Sequence, residues 1–199
     1  MRAILAAVVM LQALITGDCL LCETCLAAGA TQCSGIFQQC SPGVTHCVKG
    51  LENSTSGGDV TVNAFKDCLD PSHQAVCGRE LYLKNSVFSF WISTTCCDSD
   101  FCNTGDVEVP AVDETPNAYK CDECYTDKSS DSCTPTGEVE CTGKQNTCTS
   151  SSGKAGIPGD TLRPYSLKAC VTQDYCELFH SAATQVHGNE LLCGPAKKL

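Results

Sequence analysis

The chain has 199 residues, with 13 basic and 23 acidic side chains and a net charge of −10. That balance repels phosphate backbones and anionic headgroups, which excludes nucleic acid and membrane surfaces as natural partners. Nineteen cysteines beside only 6% aromatic residues argue against a fold held mainly by an oily interior and for a covalent framework.

The first element is a leader. Met1-Arg2 precedes the 13-residue apolar run "AILAAVVMLQALI" (3–15), too short to span a bilayer but right for a secretory signal peptide. Cleavage after Cys19 puts the small residues Gly17 and Cys19 at the positions a signal peptidase reads. It also leaves 18 cysteines, an even number. Cleavage after Gly17 would place Ile15 at a position needing a small residue and would keep an odd thiol. The expectation is a signal peptide over 1–19 and a secreted, extracellular product. The end of the chain, "LLCGPAKKL", has no hydrophobic tail, so no membrane anchor is expected.

Two copies of one cysteine pattern follow. Between cysteines 22, 25, 33, 40, 47 and 68 the spacers are 2, 7, 6, 6 and 20 residues; between 121, 124, 133, 141, 148 and 170 they are 2, 8, 7, 6 and 21. "AFKDC" before the sixth cysteine of the first series resembles "SLKAC" in the second. This is a tandem duplication. The segment between the copies, "NTGDVEVPAVDETPNAYK" (103–120), has two prolines, four acidic residues and no cysteine. It reads as an extended connector. The boundaries expected are a first domain at 20–103, an acidic, proline-containing linker at 104–118 and a second domain at 119–199. Domains of roughly 80 residues need staples, since so small a core supplies only ~3–5 kcal/mol.

Within the first copy, "DVTVNAF" (59–65) alternates, with Val60, Val62 and Ala64 opposite Thr61, Asn63 and Phe65. "ELYLKNSVFSFWIS" (80–93) has a break at Lys-Asn-Ser; beyond it Phe88, Phe90 and Ile92 share one face, and Val87, Ser89 and Trp91 the other. "NSTSGGD" and "SSSGKAGIPGD" have loop-tip compositions. No stretch after the leader shows a sustained helical period, so the fold class predicted is all-β.

The opening "LLCETC", the late "CC" and the "FCN" at 101–103 resemble the Ly6/uPAR, or three-finger, domain, and the resemblance spans the whole chain. The doubled form without an anchor is similar to the gamma-type phospholipase A2 inhibitors of serum and to the sodefrin-precursor-like courtship pheromones of amphibians. "CLDPSHQAVCGRE", "CCDSDFCN" and "CTGKQNTC" look closer to the pheromone group. The resemblance implies two tandem three-finger domains with fingers at about 22–40, 47–68 and 77–96 in the first. It implies the pairs Cys22–Cys47, Cys25–Cys33, Cys40–Cys68, Cys77–Cys96 and Cys97–Cys102, then Cys121–Cys148, Cys124–Cys133, Cys141–Cys170 and Cys176–Cys193. It also implies a structural Asn103 that ties the knot through its side chain. The second copy lacks the "CC…CN" ending, so its third finger is expected to be less firmly closed. Spacing alone does not fix this connectivity.

The chemistry readable from the residues is sparse. "CETC" and "CDEC" carry the spacing of a zinc or redox pair. Glu23, Asp122 and Glu123 between the thiols suppress a thiolate, and secretion oxidises thiols before metal arrives, so neither metal nor cofactor is expected. Catalytic motifs are absent, and His46, His73, His180 and His187 stand apart in the sequence. The chain is therefore read as no enzyme. Asn53-Ser54-Thr55 is a glycosylation sequon in the expected second fingertip. That tip, "ENSTSGGD", has neither cation nor aromatic, which argues against receptor blockade of the neurotoxin kind. Trp91, the only tryptophan, is a candidate contact residue.

These readings give a secreted, non-enzymatic binding protein. The resemblance favours a courtship pheromone read by a receptor; the alternatives are an inhibitor covering a secreted phospholipase A2, or an extracellular structural module.

Overall fold

The computed structural model describes residues 19–56, 58–155, 162–183 and 189–199. The first half consists of three hairpins: β1 (Leu21–Ala28) with β2 (Ile36–Gln39), β3 (His46–Ser56) with β4 (Asp59–Leu69), and β5 (Glu80–Lys84) with β6 (Phe88–Cys97). A 3-10 turn, Pro71–Val76, enters the third hairpin; Asp70 caps it by accepting from the Ser72 backbone N–H at 2.8 Å. The second half repeats the first two hairpins as β7 (Pro116–Thr126) with β8 (Gly137–Thr142) and β9 (Gln145–Ala155) with β10 (Arg163–Thr172). It then departs: α1 (Gln173–Ala183) and the strand β11 (Glu190–Pro195) stand where a third hairpin stood, and β12 (Lys197–Lys198) returns to β7. These are tandem, disulfide-rich three-finger domains.

The helix corrects the reading that no helical segment follows the leader. It is short, 11 residues, and its sequence does place Tyr175, Leu178, Phe179 and Ala182 at helical spacing. Tyr175 and Leu178, three apart and so on one face, pack against the core, and Cys176 bonds to Cys193 of β11.

Nine disulfides close the chain: Cys22–Cys47, Cys25–Cys33, Cys40–Cys68, Cys77–Cys96 and Cys97–Cys102 in the first half, and Cys121–Cys148, Cys124–Cys133, Cys141–Cys170 and Cys176–Cys193 in the second. None joins one half to the other. Cys19 is unpaired, and residues 1–18, where the signal peptide is expected, lie outside the described residues.

The halves share one sheet. Its order is β11-β9-β10-β5-β6-β3-β4-β1-β2, with β7 and β8 branching from β10. One margin of β10 is divided between β7, at Ser166–Lys168, and β5 of the first half, where Cys170 faces Lys84 and Val171 faces Leu83. Each face of this sheet carries a core, because side chains alternate along every strand. On one face Leu81 and Leu83 meet Leu167, Ala169, Val171, Tyr175 and Leu191, with Phe88, Phe90 and Ile92 packed alongside. On the other, Leu51, Ala64, Tyr82, Trp91 and Val107 cluster. The alternation read from 88–92 is thus the division between two interiors.

Val107 belongs to the connector, which runs against the first half. Gln32 brackets it: its Nε2 donates to Val107 O at 2.8 Å and its Oε1 accepts from Val107 N at 2.7 Å. Lys49 Nζ donates to Thr104 O and Asp106 O, and Lys66 Nζ to Gly105 O. The connector is a docked strap, held by one apolar side chain and a row of captured carbonyls.

Candidate functional site

The residues singled out from the sequence do not converge. Trp91 is 6% exposed, under the strap beside Tyr82. This corrects its reading as a contact residue: the strap removes that face of the third finger from solvent. Asn53 is not at a fingertip. It lies within β3, facing Val62 of β4 and Trp91 of β6, and is half-buried. The hairpin continues to Ser56 before β4 starts at Asp59. Asn103 is fully buried; its Oδ1 accepts from Glu23 N at 2.9 Å, and its Nδ2 donates to Glu23 O and Val48 O at 2.9 and 3.0 Å. His46 sits 2.9 Å from Thr45 Oγ1; His187 and the side chain of His180 lie outside the described residues.

Several residues passed over in the sequence carry the architecture. Asn85 turns the third hairpin by accepting from Val87 N and Phe88 N, while its Nδ2 reaches Cys124 O and Lys168 O of the second half, each at 3.4 Å. Next to it Ser86 donates through its backbone and hydroxyl to the Glu123 carboxylate, both at 2.8 Å, and Phe88 stacks on Tyr125. Gln145, fully buried, accepts from Thr142 N and donates to Cys170 O, closing the second knot from within. An asparagine in a turn and a glutamine after Gly-Lys are the only sequence signals for either; their partners are distant in the chain.

A cleft of about 460 Å³ opens at the seam between Arg79, Glu80, Lys144, Asn146, Thr172, Asp174 and Glu177. Each of its charges is in an ion pair. Arg79 bonds Asp174 at 2.9 Å and Glu177 at 3.0 Å, and Lys144 lies 3.7 Å from Glu80. Nothing in it is unpaired and aimed at a ligand. The sulfur triplets Cys22/Cys40/Cys68 and Cys121/Cys141/Cys170 lie close enough for a metal, but each sulfur is consumed in a disulfide. What remains is surface.

A u-PAR/Ly-6 domain model matches residues 18–105 and again 117–195. The chain belongs to the u-PAR/Ly-6 domain family. Among its relatives, "Phospholipase A2 inhibitor NAI" of Notechis ater is 27% identical over 169 residues, which cover 83% of this chain and 80% of that protein. Among solved structures, mouse TEX101 is 16% identical with a TM-score of 0.37, covering 90% of this chain and 99% of that one. Both segments of the u-PAR/Ly-6 match include the cysteine knots, and the strap lies between them. No helix among the described residues is long and apolar enough to cross a membrane.

On the α1-covered face of this u-PAR/Ly-6 sheet, Glu52 of β3 stands opposite Asn63 and Ile92. Desolvation raises its carboxyl above the ordinary value of 4.5, a hydrogen bond with Asn63 opposing in part. The folded chain therefore holds a proton that the unfolded chain would release, and stability falls as pH rises from 4.5 through the raised folded value. Glu52→Gln is expected to raise the unfolding midpoint at neutral pH. Because the side chain is half solvated, the gain is small, about 0.5 kcal/mol or less. The difference should vanish well below the ordinary value, which denaturant curves at two pH values will show.

Proposed function

We propose that this u-PAR/Ly-6 chain is a secreted, non-enzymatic binding protein, a signal read by a receptor in the manner of sodefrin-precursor-like pheromone factors. The observation that supports a binding role is a covalently closed, continuous sheet whose seam cleft already has its charges engaged in ion pairs. A rigid scaffold with variable loops recognises by surface. The pheromone reading rests on the "CLDPSHQAVCGRE", "CCDSDFCN" and "CTGKQNTC" motifs. Its test is whether transcripts are confined to a courtship or skin gland and whether the purified protein excites sensory tissue of a second individual. Silence of that tissue at micromolar protein removes this reading.

The second reading is inhibition of a secreted phospholipase A2. The 27% identity over most of both chains to a protein of that name favours it, and a net charge of −10 suits attraction to a basic enzyme. Addition of the purified protein to a basic phospholipase A2 decides it: complex formation and lost hydrolysis support the inhibitor, while no binding at micromolar concentration removes it.

A further inference from the structure

We infer that the recess beside the strap, where β5 and β6 meet the second half, binds a small neutral molecule through the indole N–H of Trp91. The molecule is ring-sized and carries an acceptor oxygen, as a ketone or ester does. The inference goes beyond the protein-binding readings and depends on neither.

The recess has a volume of about 190 Å³. Tyr82 and Trp91, cross-strand partners on one face of the sheet, line it from the first half. Ala111 and Val112 of the strap add apolar surface, and Lys144 and Thr172 reach it from the second half. Small-molecule pockets are mostly apolar, carry a few placed polar groups and favour such junctions. A cavity of about 150 Å³ in another protein holds benzene, so this one suits roughly seven or eight non-hydrogen atoms.

One polar group in it is unused. Trp91 is 6% exposed, and its N–H has no hydrogen-bond partner among the described residues. No fully buried side-chain nitrogen or oxygen among them lacks a partner. The indole nitrogen therefore touches open space, and the recess is space that Trp91 lines. The neighbouring polar groups are engaged. Thr172 Oγ1 accepts from Tyr82 N at 3.2 Å and donates to Glu80 O at 3.4 Å. The Tyr82 hydroxyl bonds Thr142, Asp113 Oδ1 accepts from Thr115 N at 3.0 Å, and Glu80 pairs with Lys144. A buried indole ordinarily finds a partner. The strap withdraws Trp91 from a protein surface and leaves its N–H to a small molecule.

Charge and polarity select the occupant. Asp113, which lines the recess, has no ion pair among the described residues. Burial, and then the nearby Glu114 carboxylate, raise the Tyr82 phenol above its ordinary 10.0. This negative field repels a carboxylate or phosphate. An ammonium offers the indole no acceptor and meets the positive edge of its ring. A neutral carbonyl accepts from Trp91 while its carbons lie against Tyr82, Ala111 and Val112.

The chain has one tryptophan, so a nitrogen-15 spectrum of the complete disulfide-bonded chain has one indole N–H peak. Titration with cyclohexanone is expected to move that peak downfield to saturation, with further shifts at Tyr82, Val112 and Thr172. Cyclohexanecarboxylate and cyclohexylammonium, built on the same ring, should bind about tenfold more weakly or worse. Trp91→Phe keeps an aromatic ring without the donor. Followed through the Val112 and Thr172 amides, its affinity for cyclohexanone should fall about fivefold or more. Ala111→Phe, at an exposed position, adds a ring at the rim and should weaken binding similarly while the unfolding midpoint holds. An indole peak that does not saturate, shifts centred elsewhere, or equal binding of either charged probe would overturn the inference. Undiminished binding by folded Trp91→Phe or by Ala111→Phe would do the same.

Discussion

Replacing Lys66 with methionine is expected to destabilise the chain by about 3–5 kcal/mol, the cost of leaving one partner of a buried ion pair alone. Lys66 Nζ lies 2.9 Å from Glu23 Oε2, and the two side chains are 1% and 8% exposed. The ammonium also donates to Gly105 O at 2.7 Å, and Glu23 Oε1 accepts from Gly35 N at 3.0 Å. One pair thus joins β1, β4, the first finger loop and the strap. Methionine fills the space but leaves a desolvated carboxylate and an orphaned carbonyl. Glu23→Gln in the same chain should recover much of the loss by removing the unpaired charge. The hydrogen bond from Lys66 is the main force holding the Glu23 carboxyl below its ordinary 4.5, against desolvation. A depressed carboxylate contributes stability above its unfolded value and loses it as pH falls through the folded value. Denaturant curves from neutral to acid should therefore show the wild type losing this contribution and Lys66→Met having none to lose. A cost below about 1 kcal/mol would mean that the pair is solvated and the account is wrong.

The second large effect concerns the seam. The intact chain is expected to unfold in a single transition, with equal calorimetric and van't Hoff enthalpies. Produced separately, residues 20–115 and 116–199 should each melt far lower. Leu81 and Leu83, 4% and 1% exposed, pack on Leu167, Ala169 and Val171 of the other half. Burying one such side chain contributes about 1.5–3 kcal/mol. Losing two costs the first half ~3–6 kcal/mol, before counting the partners Asn85 and Ser86 lose. At about 4 °C or more per kcal/mol for a domain of this size, the drop is roughly 12 °C or more. Halves that melt independently at the midpoint of the whole chain would show that β5 against β10 stabilises nothing.

The cysteine spacing made the duplication legible, and the three-finger class came from the resemblance carried by "LLCETC", the late "CC" and "FCN". The alternation from Phe88 to Ile92 placed two faces correctly. It was silent on what covers them, and so Trp91 was read as a contact when the strap lies over it. That strap was read from its prolines and acids as a spacer; its one decisive residue, Val107, is a single apolar side chain with no period around it. The helix was legible but missed: Tyr175, Leu178, Phe179 and Ala182 carry a helical spacing, over only two turns and interrupted by Cys176. The least legible features were the longest in reach. Lys66 with Glu23, and Leu83 beside Val171, are pairings between residues whose local sequences carry no mark of each other.

Because all nine disulfides lie within one half or the other, the order of biosynthesis is constrained. The amino-terminal knot can oxidise completely while the ribosome is still making the carboxyl-terminal one, and no thiol has to wait for a partner across the seam. Joining β5 to β10 is then a redox-independent last step. A disulfide isomerase has two short searches to complete instead of one long one.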